Sequence, residues 1–338
     1  MTGVHRAPPA PTAPVDVQSR LVASLAGRLG SVREATWIVE HAAAARATGS
    51  SGHEATASDN RPGEGCDPLV GQGLEREAQG MADRRAAGEP LQYVLGNWPF
   101  RSLELTVDPR VLIPRPETEQ VVEVALGELD RICASPRSGD LPDDDPNEHV
   151  AAAFRACVDL GTGSGAIALS LAVEGGDSHP GLQVWATDRS ADALQVAHEN
   201  LRILDASNGP AASRVRLVEG SWFDALPSAL AGQVDLVVSN PPYVAESEYP
   251  YLDPTVRDWE PRSALVAARG ADGVEGMAAI EAIVAGAPRW LHRSGAIVIE
   301  IAPGQANASI HAARRAGFGR ATVGRDLAGR PRMLVASL

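Results

Sequence analysis

Four consecutive residues, Asn240, Pro241, Pro242 and Tyr243, form a string that could hold an amino or amide group in a rigid turn. They follow an apolar run at 234–238 that predicts a short buried strand. Two prolines stop that strand and fix the turn, because proline restricts its own φ and the residue before it. The Asn240 side chain and nearby carbonyls should therefore lie at the carboxyl end of a strand, where open α/β sheets bind ligands. Proline pairs are also common in turns that have no catalytic role, so this string alone does not decide the function.

A glycine-rich loop upstream could hold a second reactant. It lies between a predicted strand and a predicted helix and consists of Gly161, Thr162, Gly163, Ser164 and Gly165. Glycines let the backbone turn sharply and let a ligand approach the peptide planes. Asp188, at the end of the next predicted strand, could accept hydrogen bonds from ribose hydroxyls, with helix capping as the alternative. This pattern indicates an adenosine-containing cofactor but does not separate a nicotinamide from S-adenosylmethionine (SAM), because the loop also satisfies the G-x-G-x-x-A dinucleotide fingerprint.

The string that begins at Asn240 favours methyl transfer over hydride transfer. Hydride transfer has no need of a rigid group of acceptors, whereas methylation of an amide requires its nitrogen to be positioned in line with the methyl group. The sulfonium of SAM is a good leaving group, but an amide nitrogen is a poor nucleophile because its lone pair is delocalised. If the Asn240 side-chain oxygen and the Pro241 carbonyl accepted both N–H bonds, they would orient the nitrogen and stabilise its developing positive charge. Tyr243 would pack on the flat target group, and no general base is required before attack.

The elements that must position these residues alternate along the C-terminal two thirds of the sequence. Strands are predicted at 156–160, 182–187, 215–219, 234–238, 296–301, 320–325 and 332–336, and helices at 166–173, 191–201, 276–290 and 305–316. Strand–helix alternation with short loops predicts a doubly wound, mostly parallel sheet. The expected fold class is therefore α/β, with a seven-stranded Rossmann-like sheet whose last two strands pair as a hairpin.

Apolar residues recur at helical spacing over much of the sequence before this region, which predicts a small helical bundle. Arg84 and Arg85, near its end, belong either to a solvated face or to an anion-facing patch. Two stretches with loop composition, 48–66 and 134–149, interrupt the pattern; the second contains the acidic run 143–145, which offers too few ligands for a metal. We expect these domains: a disordered tail at 1–14, a helical substrate-recognition domain at 15–96, a β-hairpin linker at 97–110 and a SAM-dependent methyltransferase domain at 111–338.

Composition excludes several classes of protein. The sequence has 338 residues, of which 44% are hydrophobic, and a formal net charge of −13. An acidic balance argues against a protein that coats nucleic acid, since phosphate binding needs clustered Lys and Arg. Cys66, Cys133 and Cys157 are odd in number and lack metal-type spacing, which favours a reducing cytoplasm. No apolar run approaches the roughly 18–20 residues that span a bilayer, and residues 1–14 lack the apolar core of a signal peptide.

Taken together, the motifs resemble those of a known family, the glutamine-amide (N5) methyltransferases that modify peptide chain release factors. The resemblance runs roughly from Arg84 to the C-terminus. It rests on Arg84-Arg85 with Gly88-Glu89-Pro90 and Tyr93, on Leu112-Ile113-Pro114-Arg115-Pro116-Glu117-Thr118-Glu119, on Asp159 to Gly165, on Ser221-Trp222-Phe223, on Asn240 to Tyr243, and on Glu260-Pro261 with Ala264-Leu265. The segment 112–119 together with the helical N-terminal region is more specific than Asn-Pro-Pro-Tyr, which amino-methylating enzymes of DNA and RNA share.

The resemblance implies a role for each part of the site. The loop 161–165 and Asp188 would hold SAM, with Asp188 at the ribose, Trp222 beside the adenine and Asn240 beside the methionine part. Residues 240–243 would grip the glutamine of a Gly-Gly-Gln tripeptide in a release factor, and the N-terminal helices would help dock that factor. The product would be S-adenosyl-L-homocysteine (SAH), and we expect a monomer with no metal, no membrane and no stable nucleic-acid binding.

Other functions stay open at this point. The alternative is an amino-methyltransferase acting on a base of RNA or DNA, which would want a basic, aromatic-lined groove. A SAM-binding module without catalysis and a nicotinamide dehydrogenase are further readings. The sequence departs from the family pattern in three places, at 48–66, 134–149 and 300–305. We expect these departures to affect docking of the substrate more than the chemistry.

Overall fold

The computed structural model describes residues 15–49, 68–134 and 154–338. The expected tail at 1–14 therefore lies outside the described residues, as do the core of the first loop stretch at 50–66 and most of the second at 135–149. Cys66 and the acidic run 143–145 fall in those ranges as well. The chain divides between Leu95 and Gly96 into two compact units, and each is described by itself below.

The first unit is helical, as the spacing of its apolar residues predicts. Its helices are α1 (Val15–Leu29), α2 (Val32–Gly49), α3 (Pro68–Ala86) and α4 (Leu91–Leu95). Their apolar faces meet in one core, in which the largest fully buried side chains are those of Leu25, Ile38 and Leu74. This burial, rather than helix propensity, holds such short helices together in water.

Arg84 and Arg85 at the end of α3 are paired with carboxylates of their own unit, and the Arg84 side chain is still 48% exposed. Nε of Arg84 donates to Glu89 at 2.8 Å, and the same guanidinium donates to the Tyr93 carbonyl at 2.9 Å. Nε of Arg85 donates to Glu34 of α2, also at 2.8 Å. Both cations therefore have carboxylate partners inside the unit, where they join α3 to its neighbours.

The second unit opens with the predicted hairpin, formed by the antiparallel strands β1 (Asn97–Phe100) and β2 (Leu103–Thr106). Helix α5 (Pro116–Cys133) follows. Pro116 occupies its first turn, where the missing N–H costs no hydrogen bond, and Glu117 and Glu119 lie at the positive end of the helix dipole.

A seven-stranded sheet forms the centre of this unit. Its strands are β3 (Arg155–Leu160), β4 (Leu182–Asp188), β5 (Val215–Glu219), β6 (Val234–Ser239), β9 (Leu291–Glu300), β10 (Arg320–Arg325) and β11 (Pro331–Ser337). They lie in the order β10-β11-β9-β6-β3-β4-β5. The pairs formed among β3, β4, β5, β6 and β9 are parallel, and β11 pairs antiparallel with both β9 and β10. The predicted fold class, a mostly parallel seven-stranded sheet with a helical N-terminal region and a hairpin, is confirmed.

The remaining elements cover the two faces of the sheet or lie beside its carboxyl edge. They are α6 (Ala166–Ser170), α7 (Gly176–Ser178), α8 (Ala191–Asn208), β7 (Val244–Ala245), α9 (Pro254–Arg257), α10 (Arg262–Leu265), β8 (Val266–Ala267), α11 (Ala278–Trp290) and α12 (Ala306–Arg315). One core packs α5 and α6 on the face that carries Cys157, and the other packs α11 and α12 on the face of Val158 and Leu160. Within the described ranges, no helix combines the length and the apolar composition that crossing a bilayer requires.

The single helix predicted at 166–173 is interrupted in the structure. A π turn at Leu171–Gly175 separates α6 from α7. Gly175 and Gly176 follow each other there, and glycine has the lowest helix propensity after proline. Glu174 in the π turn accepts a hydrogen bond from Nε of Arg101 at 2.6 Å, which joins this turn to the β1–β2 connection.

The strand order creates a crevice at one edge of the sheet. The chain runs from β3 to β4 and β5 on one side and then returns to the other side of β3 with β6. Ligands bind at such switch points, outside the carboxyl ends of the strands. The loop 161–165 leaves β3 here, Asp188 ends β4 and Asn240 follows β6, so the topology brings all three predicted parts of the site to one edge.

Candidate active site

The glycine loop after β3 is joined to β4 through backbone hydrogen bonds. The amides of Gly161 and Thr162 donate to the Thr187 carbonyl at 2.8 and 3.0 Å. Gly161, Gly163 and Gly165 have φ of +73°, +55° and +86°, a region that favours glycine because a Cβ is strained there. The three glycines are therefore required by the shape of the loop itself.

The side chains of this loop point away from the crevice. Thr162 and Ser164 are buried, and the Thr162 hydroxyl donates to Asp159 at 2.6 Å. The Ser164 carbonyl accepts from Nδ2 of Asn200 at 2.9 Å. These contacts hold the loop from behind and leave the half-buried Gly161 and Gly163 on the open side.

Asp188 is held by two backbone amides. Its Oδ2 accepts from Gly163 at 2.9 Å and its Oδ1 accepts from Ser190 at 2.9 Å. A carboxylate has about four acceptor positions, so each oxygen can still accept from a ligand hydroxyl. Helix α8 begins at Ala191, and its cap is Ser190, whose hydroxyl oxygen accepts from the Ala193 amide at 3.2 Å. The helix-capping alternative for Asp188 is therefore wrong, and its ligand-binding role stays a prediction.

Trp222 lies over the glycine loop. It is one of two non-glycine residues with positive φ in the described chain, at +47°, and its carbonyl accepts from the Thr187 hydroxyl at 2.9 Å. A Cβ added at Gly161 would lie 3.4 Å from the Trp222 ring, so the indole packs directly against the loop. The ring and the loop together form one wall of the crevice.

A cavity of about 330 Å³ fills the crevice, a size within the range of small-molecule sites. Of the predicted cofactor residues, those that line it are Gly161, Gly163, Asp188, Trp222 and Asn240, while Thr162, Ser164 and Gly165 do not. Pro242 lines it as well, whereas Pro241 is buried and Tyr243 lies outside the lining.

Further segments line the cavity and were not predicted as site residues. They include 110–112 and parts of 189–193, 220–221, 261–268 and 278–279, among them Arg110, Leu112, Pro261 and Ala264. The buried Glu260 joins two of them, 110–112 and 261–268, since its carboxylate accepts from the Ile113 amide at 3.2 Å and binds Arg115. Burial raises the pKa of Glu260, and Arg115 acts against that rise. Leu112, Pro261 and Ala264 had a signal in the sequence, because they belong to the quoted family motifs, whereas Arg110 and residues 266–268 had none.

The Asn240 side chain belongs to a buried network of side chains. Nδ2 of Asn240 donates to Oγ1 of Thr118 at 3.1 Å, and that hydroxyl donates to Oε2 of Glu300 at 2.7 Å. The Tyr243 hydroxyl donates to Oε1 of the same carboxylate at 3.0 Å. We call these four residues the Glu300 network. Burial raises the pKa of the Tyr243 hydroxyl, and the nearby Glu300 charge acts in the same direction.

The backbone after the two prolines is also fixed. Nε2 of the buried Gln305 donates to the Tyr243 carbonyl at 3.0 Å. Gly276, with φ of +72°, packs against this carbonyl so closely that a Cβ there would overlap the oxygen. The short parallel pairing of β7 with β8 then connects the segment after Tyr243 to the wall of the cavity.

Asp159, beneath the glycine loop, is fully buried. Its Oδ2 accepts from the Thr162 hydroxyl and from the Ala168 amide at 3.2 Å, while its Oδ1 has no hydrogen-bond partner. Burial raises the pKa of Asp159 to about 7. The end of β3 thus carries an acceptor whose ionised form is disfavoured.

Comparison with known proteins assigns the family. Residues 147–252 match the family model described as Methyltransferase small domain. The sequence is 42% identical over 247 residues to the Release factor glutamine methyltransferase of Burkholderia pseudomallei, covering 72% of this chain and 74% of that protein. It is 39% identical over 269 residues to the protein of the same name from Gloeobacter violaceus, covering 78% and 81%. The chain belongs to the release factor glutamine methyltransferase family.

Membership in the release factor glutamine methyltransferase family confirms the resemblance found in the motifs and the prediction of a methyltransferase. Among solved structures, the N-terminal domain of human METTL16 in complex with SAH is similar at 17% identity, with a TM-score of 0.44 and coverage of 75% of this chain and 82% of that one. A likeness of that size carries no argument about substrate.

Proposed function

We propose that this enzyme transfers the methyl group of SAM to the side-chain amide nitrogen of the glutamine in the Gly-Gly-Gln tripeptide of peptide chain release factors. The observation that carries the proposal is that Asp188 and the glycine loop line the same cavity as Asn240. A cofactor site and an amide-binding group thus share one space, in a chain whose relatives are named release factor glutamine methyltransferases.

The residues present fit SAM. The open peptide planes of Gly161 and Gly163 leave room for a ligand, and Asp188 presents two fixed acceptors for ribose hydroxyls. The apolar ring of Trp222 offers a surface for the adenine. When bound, SAM supplies a methyl group on a sulfonium and leaves as SAH.

The protein's own residues would hold the substrate amide. Oδ1 of Asn240 and the carbonyl of Pro241 would accept the two N–H bonds of the glutamine, which orients the nitrogen and stabilises its positive charge as the new N–C bond forms. Tyr243 and Pro242 would bound the flat amide. One N–H proton is released once the nitrogen has gained the methyl group, and because that proton becomes strongly acidic, water suffices to take it.

The helical region predicted at 15–96 would help recognise the release factor. Support comes from the compactness of the first unit, which ends at Leu95, next to the predicted boundary. We further propose that the enzyme is a monomer without a metal or a membrane partner. Its substrate class belongs to translation, which favours the cytoplasm, and its net charge of −13 disfavours stable binding of nucleic acid.

The test is transfer of label from isotopically labelled SAM. Purified enzyme is incubated with a release factor, with the same factor carrying Gln→Ala in its Gly-Gly-Gln tripeptide, and with naked RNA and DNA. Label in the first sample alone supports the proposal. Label in the Gln→Ala factor would move the target elsewhere, and label in RNA or DNA would favour the nucleic-acid alternative.

A further inference from the structure

The Glu300 network joins three elements that are far apart in the chain. Glu300 ends β9, Thr118 lies in the first turn of α5, and Asn240 and Tyr243 follow β6. The carboxylate of Glu300 is 1% exposed and accepts from the hydroxyls of both Thr118 and Tyr243. Asn240 and Tyr243 have roles in the proposed mechanism, whereas Thr118 and Glu300 behind them have none so far. These contacts correct the expectation that the segment 300–305 concerns docking more than the chemistry.

The directions of these hydrogen bonds follow from the donor inventory. An ionised carboxylate only accepts, so the single hydroxyl proton of Thr118 is committed to Glu300. The Thr118 oxygen can then only accept, and it accepts from Nδ2 of Asn240. This places the amide nitrogen of Asn240 toward Thr118 and leaves its Oδ1 as the atom that can accept from a substrate.

We propose that Thr118 and Glu300 are positioning residues that fix which end of the Asn240 amide faces the substrate and hold the Tyr243 ring beside it. The inference rests on the proposed function, because it assigns the two residues to the same methyl transfer. Without the network, the Asn240 amide can rotate and present Nδ2, a donor, to the N–H bonds of the substrate. That orientation cannot hold the nitrogen for attack.

Protonation of Glu300 would reverse the same chain of hydrogen bonds. A protonated carboxyl donates to the Thr118 oxygen, so the Thr118 hydroxyl proton would point to Asn240. That proton would favour Oδ1 of Asn240, rather than Nδ2, as the atom that faces Thr118. The groups that face Glu300 are the Tyr243 hydroxyl, Arg332 of β11 and Glu117 of α5. Burial raises the pKa of Glu300, and the hydrogen bonds from Thr118 and Tyr243 and the charge of Arg332 act against that rise. Activity should therefore fall as the pH is lowered through the Glu300 pKa.

The first test separates the hydroxyl of Thr118 from its packing. Thr118→Val keeps the shape and removes the hydroxyl, whereas Thr118→Ser keeps the hydroxyl and removes the methyl group. We expect kcat for release factor to fall about tenfold or more in Thr118→Val, a fold-change in line with losing one buried hydrogen bond, and to stay within about threefold in Thr118→Ser. The dissociation constant for SAM should change little in both. Thr322→Val on β10 is the control and should keep wild-type kcat, because it removes a threonine hydroxyl that donates to the Val335 carbonyl, away from the Glu300 network.

The second test uses the pH profile. Glu300→Gln is isosteric, but its amide can donate to Thr118, so we expect a low kcat without the acid limb seen in the wild type. Glu128→Gln is the control and should keep the wild-type profile. Glu128 is a half-buried carboxyl further along α5 that accepts from Nε of Arg131 at 2.6 Å.

The outcomes are distinguishable. If the wild-type enzyme does not label a release factor at all, the proposed function fails. If the wild type is active but Thr118→Val matches it, or if Thr118→Ser is as impaired as Thr118→Val, the positioning role is wrong and the proposed function stands. An acid limb that persists in Glu300→Gln would likewise overturn the role given to Glu300.

Discussion

The amide of Gly163 donates to Oδ2 of Asp188 at 2.9 Å, which joins the turn after β3 to the end of β4. Because one carboxylate both shapes the glycine loop and lines the cavity, its removal affects the cofactor site in two ways. The loop loses a bonded acceptor, and the ribose loses its proposed partner.

We therefore predict that Asp188→Ala weakens SAM binding by about 1–3 kcal/mol, the range for losing charge-assisted hydrogen bonds. Isothermal titration calorimetry measures this directly. Asp192→Ala removes an exposed carboxylate in the first turn of the adjacent helix and should bind SAM like the wild type. Equal affinities for the wild type and Asp188→Ala would remove the role assigned to this residue.

Asn240→Ala should separate turnover from cofactor binding. Losing the side-chain oxygen that holds the substrate amide should lower kcat on the order of a hundredfold, since positioning and charge stabilisation act on the same atom. SAM affinity, measured by the same calorimetry, should fall much less. Asn307→Ala, on the exposed side of α12, is the matched control. A variant lacking Asn240 that turned over normally would contradict the mechanism.

Gly276 and Gly273 form a natural pair for testing the backbone next to Tyr243. Both have positive φ, so either Gly→Ala substitution should lower the free energy of unfolding by about 1 kcal/mol. At Gly273 a Cβ meets nothing within 4 Å, whereas at Gly276 it overlaps the Tyr243 carbonyl oxygen. We predict normal kcat for Gly273→Ala and a larger loss of both stability and kcat for Gly276→Ala. Identical behaviour of the two variants in urea unfolding and in the labelling assay would show that this contact does not matter.

Asp159 should make stability depend on pH in an unusual direction. Its folded-state pKa of about 7 lies above the ordinary value of 3.8, so between these values the folded chain holds a proton that the unfolded chain has lost. Protonation therefore stabilises the fold, and this contribution disappears as the pH rises from about 4 to about 7, at about 1.4 kcal/mol per unit of pKa shift at most. Urea unfolding should show that Asp159→Asn gains stability relative to the wild type over this interval, with no further gain above it. A difference that is independent of pH would contradict the raised pKa.

Local chemistry made part of this molecule predictable. Two prolines after an apolar run end β6 at Ser239, just before Asn240, and three glycines with positive φ define the turn after β3. Each of these features is determined by residues next to each other in sequence, so the strand ends and the edge of the sheet follow from the sequence alone.

The support behind the site could not be inferred in this way. Thr118 lies 122 residues from Asn240 and 182 residues from Glu300. The local sequence patterns of α5 and β9 do not indicate that these residues come into contact. The same holds for Glu260, whose carboxylate accepts a hydrogen bond from the amide of Ile113, 147 residues away in sequence. Long-range polar contacts depend on how elements pack, which periodicity and turn signals do not encode.

Tandem mass spectrometry of a release factor after incubation with the enzyme and SAM tests the central claim most directly. The account predicts one added methyl group on the side chain of the glutamine in the Gly-Gly-Gln tripeptide, formed about a hundredfold more slowly when Asn240→Ala replaces the wild-type enzyme. A methyl group found on any other residue, or an unmodified factor after incubation with SAM-competent enzyme, would contradict it.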